Sequence, residues 1–131
     1  MASPTFSIIT VTFNASSTIE RTLKSVAEQT CRDFEHIVMD GASKDDTVEK
    51  ARKFGVDGIR IFSEPDKGLY DAMNKAMDHA KGTYLIFLNS GDKLHAPDSL
   101  ERIKKAVDDN DVPGIVYGPV SYTHLRAHET S

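Results

Sequence analysis

Four times along this chain, a short β-branched or apolar run stops at a polar loop and is followed by apolar residues spaced three and four apart. That alternation constrains the fold more than any other feature, because parallel neighbouring strands need a crossover and a helix is the usual one. Residues 6–13 (Phe-Ser-Ile-Ile-Thr-Val-Thr-Phe) predict a first strand, and Ser17 and Glu20 have the spacing of a capping box ahead of Ile19, Leu23, Val26 and Ala27. Residues 34–39 predict a second strand. Asp45 or Asp46 can cap a helix that runs through Val48, Ala51 and Phe54 and ends at Gly55. Residues 59–62 predict a third strand, then a helix with Leu69, Met73, Ala76, Met77 and Ala80 on one side and Gly82 as its stop. Residues 84–88 (Tyr-Leu-Ile-Phe-Leu) form a continuous apolar run, as expected of a central strand covered on both faces. A helix from about Pro97 or Asp98 through Leu100, Ile103 and Val107 and a strand at residues 114–117 complete the pattern. The fold class is therefore α/β, a mainly parallel sheet with helices on both faces.

A chain of 131 residues fits one domain with a real core. Its net charge of -4, with both signs mixed along the sequence, provides no basic stripe and argues against a nucleic-acid polymer as partner. The lone Cys31 excludes an internal disulfide and a thiolate metal site, which suits a reducing compartment. The first residues lack a basic head and long apolar stretch, and the run at 84–88 is too short to span a bilayer. A cytoplasmic chain is expected, with any membrane anchor lying in sequence beyond it. Residues 121–131 show neither helical nor strand period and read as a foreign or disordered tail, so that residues 1–120 make up the domain.

Ligands of open α/β sheets settle beyond the carboxyl ends of the strands. Four loops meet there: Phe13-Asn14-Ala15, Asp40-Gly41-Ala42-Ser43, Pro65-Asp66-Lys67-Gly68 and Asn89-Ser90-Gly91-Asp92. An aromatic ring can stack on a base, a carboxylate can accept a pyrimidine N–H, a lysine can approach a phosphate, and Asp or Asn oxygens suit a hard divalent ion. Each residue also has a plainer role open to it. Phe13 could pack in the core, Asp40 could shape a turn, and Lys67 could be a solvated surface group. The first strand–helix turn has no glycine, and no Gly-Lys-Ser or Gly-Lys-Thr phosphate loop occurs. A serine nucleophile elbow is also missing, and His36, His79 and His95 read as ordinary strand, helix and loop residues.

Taken in order, residues 8–14 (Ile-Ile-Thr-Val-Thr-Phe-Asn), 38–47 (Val-Met-Asp-Gly-Ala-Ser-Lys-Asp-Asp-Thr), 68–76 (Gly-Leu-Tyr-Asp-Ala-Met-Asn-Lys-Ala) and 87–92 (Phe-Leu-Asn-Ser-Gly-Asp) resemble the family 2 glycosyltransferases of GT-A fold. The resemblance covers residues 6–118 and implies the nucleotide-binding half of a Rossmann-like domain. Such an enzyme moves a sugar from a nucleotide diphosphate-sugar to a glycan or lipid-linked acceptor with inversion, in polysaccharide or glycolipid synthesis. It implies that Phe13 lies against the base and that Asp40 reads it. It also implies nucleotide contacts from Asn14, Asp66, Lys67 and Gly68. The family's metal motif is Asp-x-Asp, whereas residues 89–92 keep only the last carboxylate, leaving Asp92 as the ligand expected for Mn²⁺ or Mg²⁺, with Asn89 as a neutral helper. An arginine often precedes the asparagine at position 74, where this chain has Met73. The family's general base comes from its second half, so this chain is expected to be a truncated donor-binding part with little activity of its own. A sugar-nucleotide nucleotidyltransferase and a non-catalytic nucleotide-binding module are the competing readings.

Overall fold

A computed structural model describes residues 4–110, 114–117 and 126–127, with side chains as far as Val107. The strands are β1 (Phe6–Thr12), β2 (Phe34–Asp40), β3 (Arg60–Ser63), β4 (Tyr84–Phe87), β5 (Gly114–Tyr117) and β6 (Arg126–Ala127). The helices are α1 (Ile19–Ala27), α2 (Thr47–Phe54), α3 (Leu69–His79) and α4 (Ser99–Asn110). They build one sheet in the order β3-β2-β1-β4-β5-β6, in which β5 is parallel to β4 and β6 is antiparallel to β5. β2 and β4 pair parallel to β1, and β3 to β2. β4 is interior, as its unbroken apolar run requires, while β1 lies between β2 and β4. Most of the tail from 121 to 131 lies outside the described residues, and only Arg126 and Ala127 are seen paired with Ile115 and Gly114.

Helices cover both faces. Phe6 and Ile8 of β1 and Ile86 of β4 pack with Val26 of α1 and Leu100, Ile103 and Val107 of α4, and Cys31 sits half-buried against them. On the same side Val38 meets Ile19 and Leu23 of α1 and Ala51 of α2. The opposite face joins Ile9, Ile37, Met39 and Phe87 to Ala72 and Ala76 of α3. This is the period-two division expected of strands buried on both sides.

Some local expectations are corrected. The Ser17–Glu20 capping box does not form; α1 begins at Ile19 behind Thr18, which makes no side-chain cap bond. Ala15 takes over part of that role, its carbonyl accepting the N–H groups of Thr18 and Ile19 at 3.0 and 2.9 Å. α2 starts behind Asp46, but Asp45 accepts the Thr47 N–H at 3.1 Å, while the Asp46 carboxylate instead holds the Ser16 hydroxyl. In α3 the buried residues are Ala72 and Ala76, and the helix ends at His79 rather than at Gly82. Leu69, expected on the buried side, is 46% exposed, as is its neighbour Tyr70 at 79%, so the first turn of α3 lies open to solvent.

Gly82 marks a close approach. A Cβ there would lie 2.6 Å from Ser7 N and 2.7 Å from the Phe6 carbonyl carbon, both main-chain atoms of β1. Gly82→Ala is expected to cost about 2 kcal/mol, the range of an overpacked core. A thermal midpoint equal to wild type would show that β1 can yield. At the same edge Glu35 accepts from Ser7 Oγ and Lys81 N at 2.6 Å each and from Arg60 Nη1 at 3.0 Å. This carboxylate serves the architecture; the one at the other end of β2 sits among the candidate ligand loops.

Candidate functional site

Parallel register lines up Thr12, Asp40 and Ser63 at the carboxyl ends of three adjacent strands. Asp40, the middle member, is fully buried. Its Oδ1 accepts from Thr12 Oγ1 at 2.7 Å and Ser43 Oγ at 2.5 Å. Its Oδ2 accepts from Ser43 N and Ser63 Oγ, each at 2.8 Å. Burial alone would raise this carboxyl's pKa, but the bonds from Ser43, Thr12 and Ser63 outweigh it and hold the group below the usual carboxylate range. Asp40 is therefore a charged acceptor fixed by its own neighbours.

The Ser43 hydroxyl also accepts the Asn14 N–H at 2.8 Å, and Asn14 Oδ1 accepts Lys44 N at 2.9 Å. Asn14 has φ 47°, a left-handed value that asparagine tolerates better than most residues. Ala42 has φ 60°, so the loop after β2 turns sharply as well. Thr47 Oγ1 accepts Ala15 N at 2.9 Å and donates to Asp45. These bonds tie the loops after β1 and β2 into one unit, and they explain why Ser43, Asp45 and Thr47 stand in fixed spacing after Asp40.

Gly41 lies under two of the expected site residues. A Cβ at Gly41 would fall 2.6 Å from Asp66 Oδ2 and 3.5 Å from Phe13 Cδ1. Asp66 Oδ1 accepts Gly68 N at 3.0 Å, and Oδ2 has no hydrogen-bond partner among the described residues. Phe13 is 64% exposed, which removes the core-packing alternative. Leu69 and Tyr70 are also exposed, Tyr70 by 79%, and follow directly on the Asp66 loop. Gly68 has φ 123°, a conformation closed to L side chains, and lets the chain turn into α3. Lys67 is exposed, and its N–H donates to Asp71 Oδ2 at 2.9 Å.

The fourth loop is pinned to α1. Thr22 Oγ1 donates to the Asp92 carbonyl at 2.6 Å and accepts Gly91 N at 2.8 Å, while Asp92 N donates to the Asn89 carbonyl at 2.9 Å. Neither the Asn89 amide nor the Asp92 carboxylate has a side-chain partner among the described residues. Among the described residues no three His, Cys, Asp or Glu side chains gather as a metal-ligand group. Asp92 and Asn89 thus offer oxygen donors of the right hardness but do not make a complete cation site alone.

The structure brings Phe13, Asp40 and Asp66 together around Gly41, gives Asn14 and Gly68 backbone duties, and leaves Lys67 at the rim. Sequence reasoning missed Thr12, Ser43 and Ser63. The available signal was a polar residue closing each of three successive strands.

The glycosyl transferase family 2 model matches residues 7–129. The chain belongs to that family. A PGL/p-HBAD biosynthesis glycosyltransferase of Mycobacterium bovis is 40% identical over 123 residues, covering 92% of this chain and 48% of that relative. An uncharacterized glycosyltransferase of Mycobacterium tuberculosis is 40% identical over 121 residues, covering 92% of this chain and 44% of its own length. This family 2 chain therefore spans about half the length of the curated relatives it matches. Among solved structures, S. aureus TarS 1-349 in complex with UDP-GlcNAc superposes with a TM-score of 0.72 at 27% identity, over 81% of this chain and 32% of that one. The mannosyltransferase PcManGT from Pyrobaculum calidifontis, in complex with GDP-Man and Mn²⁺, does so with a TM-score of 0.72 at 27% identity, over 86% and 34%. Both superpositions agree with the α/β fold class, and membership of the family sets the nucleotidyltransferase reading aside. Among the described residues no helix is long and apolar enough to cross a membrane.

Proposed function

We propose that this chain is the donor-binding part of an inverting glycosyltransferase that takes its sugar from a nucleoside diphosphate-sugar. The observation that carries the reading is the meeting of Phe13, Asp40 and Asp66 at Gly41, beyond the carboxyl ends of the strands. The exposed Phe13 ring supplies a stacking face for the base. Asp66 Oδ2 is an open acceptor for a base N–H. Asp40 is the second acceptor of this reading: it is buried in the free chain, and a base N–H would take the place of the Ser63 hydroxyl on its Oδ2. Gly41 is buried and has no side chain, so the Asp66 carboxylate and the Phe13 ring can close over its main chain and form one wall of the site.

The exposed Lys67 suits the sugar-phosphate portion, with the Gly68 N–H fixing Asp66 and Asn14 keeping the loop after β2 in place. The Asp92 carboxylate, assisted by Asn89, is the protein's contribution to a Mn²⁺ or Mg²⁺ ion completed by diphosphate oxygens. Such an ion offsets charge on the departing diphosphate. The acceptor, a glycan or a lipid-linked group in polysaccharide or glycolipid synthesis, and the general base that inversion requires belong to the half of the relatives this chain does not span. The cytoplasm, at the inner face of a membrane in the whole protein, is the compartment this reading implies.

Calorimetric titration with UDP and GDP, with and without Mn²⁺, tests the site. Phe13→Ala and Asp66→Ala are each expected to weaken binding about tenfold, the scale of one lost stacking or hydrogen-bonded contact. Asp92→Asn is expected to remove any enhancement by Mn²⁺. A folded chain that takes up neither nucleotide would end this reading.

A further inference from the structure

The outer side of the Asp92 turn carries a second concavity. It is a cleft of about 360 Å³ between α1 and the loop joining β4 to α4. Arg21 and Lys24 of α1 and Glu28, its C-cap, line one side, and Lys93 and His95 line the other from the loop. Its walls are held by buried polar groups. Gln29 Nε2 donates to the Ala96 carbonyl at 2.8 Å, its Oε1 accepts Leu100 N at 3.0 Å, and Ser25 Oγ accepts Leu94 N at 3.1 Å. Leu94, buried, closes the floor.

Arg21, Lys24 and Lys93 against Glu28 leave two positive charges in excess, three less one, on a chain whose net charge is -4. None of the four forms an ion pair among the described residues. Arg60, Lys75, Arg102 and Lys104 do pair with carboxylates, so what marks this cleft is that three cations share one concavity with a single acidic group. Here Arg21 and Lys24 on one wall and Lys93 on the other concentrate positive charge in one cleft, which favours an anion over a neutral group.

We propose that this cleft is a second anion site, distinct from the donor site, which binds a phosphate monoester or diphosphate group. Two excess charges match a group of about two negative charges at neutral pH. Arg21 provides a bidentate fork, Lys24 and Lys93 are point charges, and the His95 ring adds a polar contact. A cleft of this volume holds the phosphate together with part of the molecule that carries it. Its lining shares no residue with the Phe13, Asp40 and Asp66 site around Gly41.

Amide chemical shifts of the 131-residue chain, followed during titration with inorganic pyrophosphate without divalent cations, test the site. Shifts are expected at Lys24, Lys93 and His95, with binding about tenfold weaker in the double variant Lys24→Gln/Lys93→Gln and unchanged in Lys105→Gln, an exposed lysine on α4. Vesicles of phosphatidylglycerol, set against phosphatidylcholine, separate the two sources of phosphate. Broadening of the same amides only by the anionic vesicles, in addition to the pyrophosphate shifts, identifies a lipid headgroup; pyrophosphate shifts alone identify a soluble phosphate compound. Either result supports the site. Shifts confined to the loops around Gly41, no shifts at all, or shifts that survive the double variant overturn it. A chain that fails to bind UDP but shows the pyrophosphate shifts retains this site while losing the donor reading.

Discussion

Asp40→Ala is expected to destabilise the domain by about 4 kcal/mol, a large part of the 5–15 kcal/mol typical of a domain. The carboxylate is buried and takes all four of its hydrogen bonds from Thr12, Ser43 and Ser63. Its loss leaves three hydroxyls and one main-chain N–H to find other partners, and it frees the Ser43 hydroxyl that holds Asn14. Asp40→Asn keeps the shape and half of the acceptor capacity, so about 2 kcal/mol is expected from it. Urea unfolding at pH 7.5 measures both. The Asn variant, still folded, should also exchange the amides of Ser43 and Lys44 faster and bind UDP more weakly than wild type. The sign of the charge effect follows from the depressed pKa. The stability Asp40 supplies is present above the ordinary carboxylate value and is lost as pH falls through its lower folded value. An Ala variant within 1 kcal/mol of wild type would show that the hydroxyls re-pair with water, and that Asp40 is not the keystone of these loops.

The value of Asp40 was legible in the sequence only as position. A buried strand running into Asp-Gly marks the carboxyl edge of a sheet, and the alternation of strands and helices follows from local spacing alone. The same spacing holds β4 in the interior and places α4 close to its expected limits. What spacing does not contain is register. That Thr12 stands beside Asp40, and Asp40 beside Ser63, depends on which strands pair, over separations of 28 and 23 residues. The Ser17 cap failed for a related reason. Ser16 is engaged by Asp45 and Asp46, thirty positions away, and Lys50 Nζ donates to the Ser16 carbonyl at 2.8 Å, so the turn before α1 is set by α2 rather than by its own residues. Leu69 shows the limit of periodicity from the other side: it keeps the helical spacing of a core residue, yet it stands in a solvent-exposed first turn while Ala72 and Ala76 are buried. In the candidate site, residue types revealed Phe13, Asp40 and Asp66 singly, while their meeting over Gly41 is a matter of tertiary structure.

Lowering the pH from 7.5 to 4.5 is expected to remove about 3 kcal/mol of stability before the carboxylates contribute, because of one histidine. His36 lies in β2 with its ring buried among the strands beneath α1, α2 and α4. Its Nε2 is 2.8 Å from Thr10 Oγ1, and Nδ1 has no partner. Burial lowers its pKa from the ordinary 6.5 to about 4, since no nearby group compensates a charged ring. Between those two values the unfolded chain binds a proton that the folded one refuses, so stability rises with pH across the window and falls as acid is added. A shift of this size corresponds to roughly 3 kcal/mol of stability, fully present above the upper value and lost as pH falls to the lower one. Below it the depressed carboxyls of Asp33, Glu35 and Asp40 take over, each losing its stabilising charge as pH falls through its folded value. Urea midpoints at pH 7.5, 5.5 and 4.5 resolve the first window. Thr10→Val/His36→Leu replaces both polar partners by apolar groups, so it should fold with little loss at pH 7.5 and flatten the dependence between pH 6.5 and 4.5. A double variant with the same slope as wild type would assign the acid sensitivity to other groups and leave His36 a neutral core residue without consequence for pH.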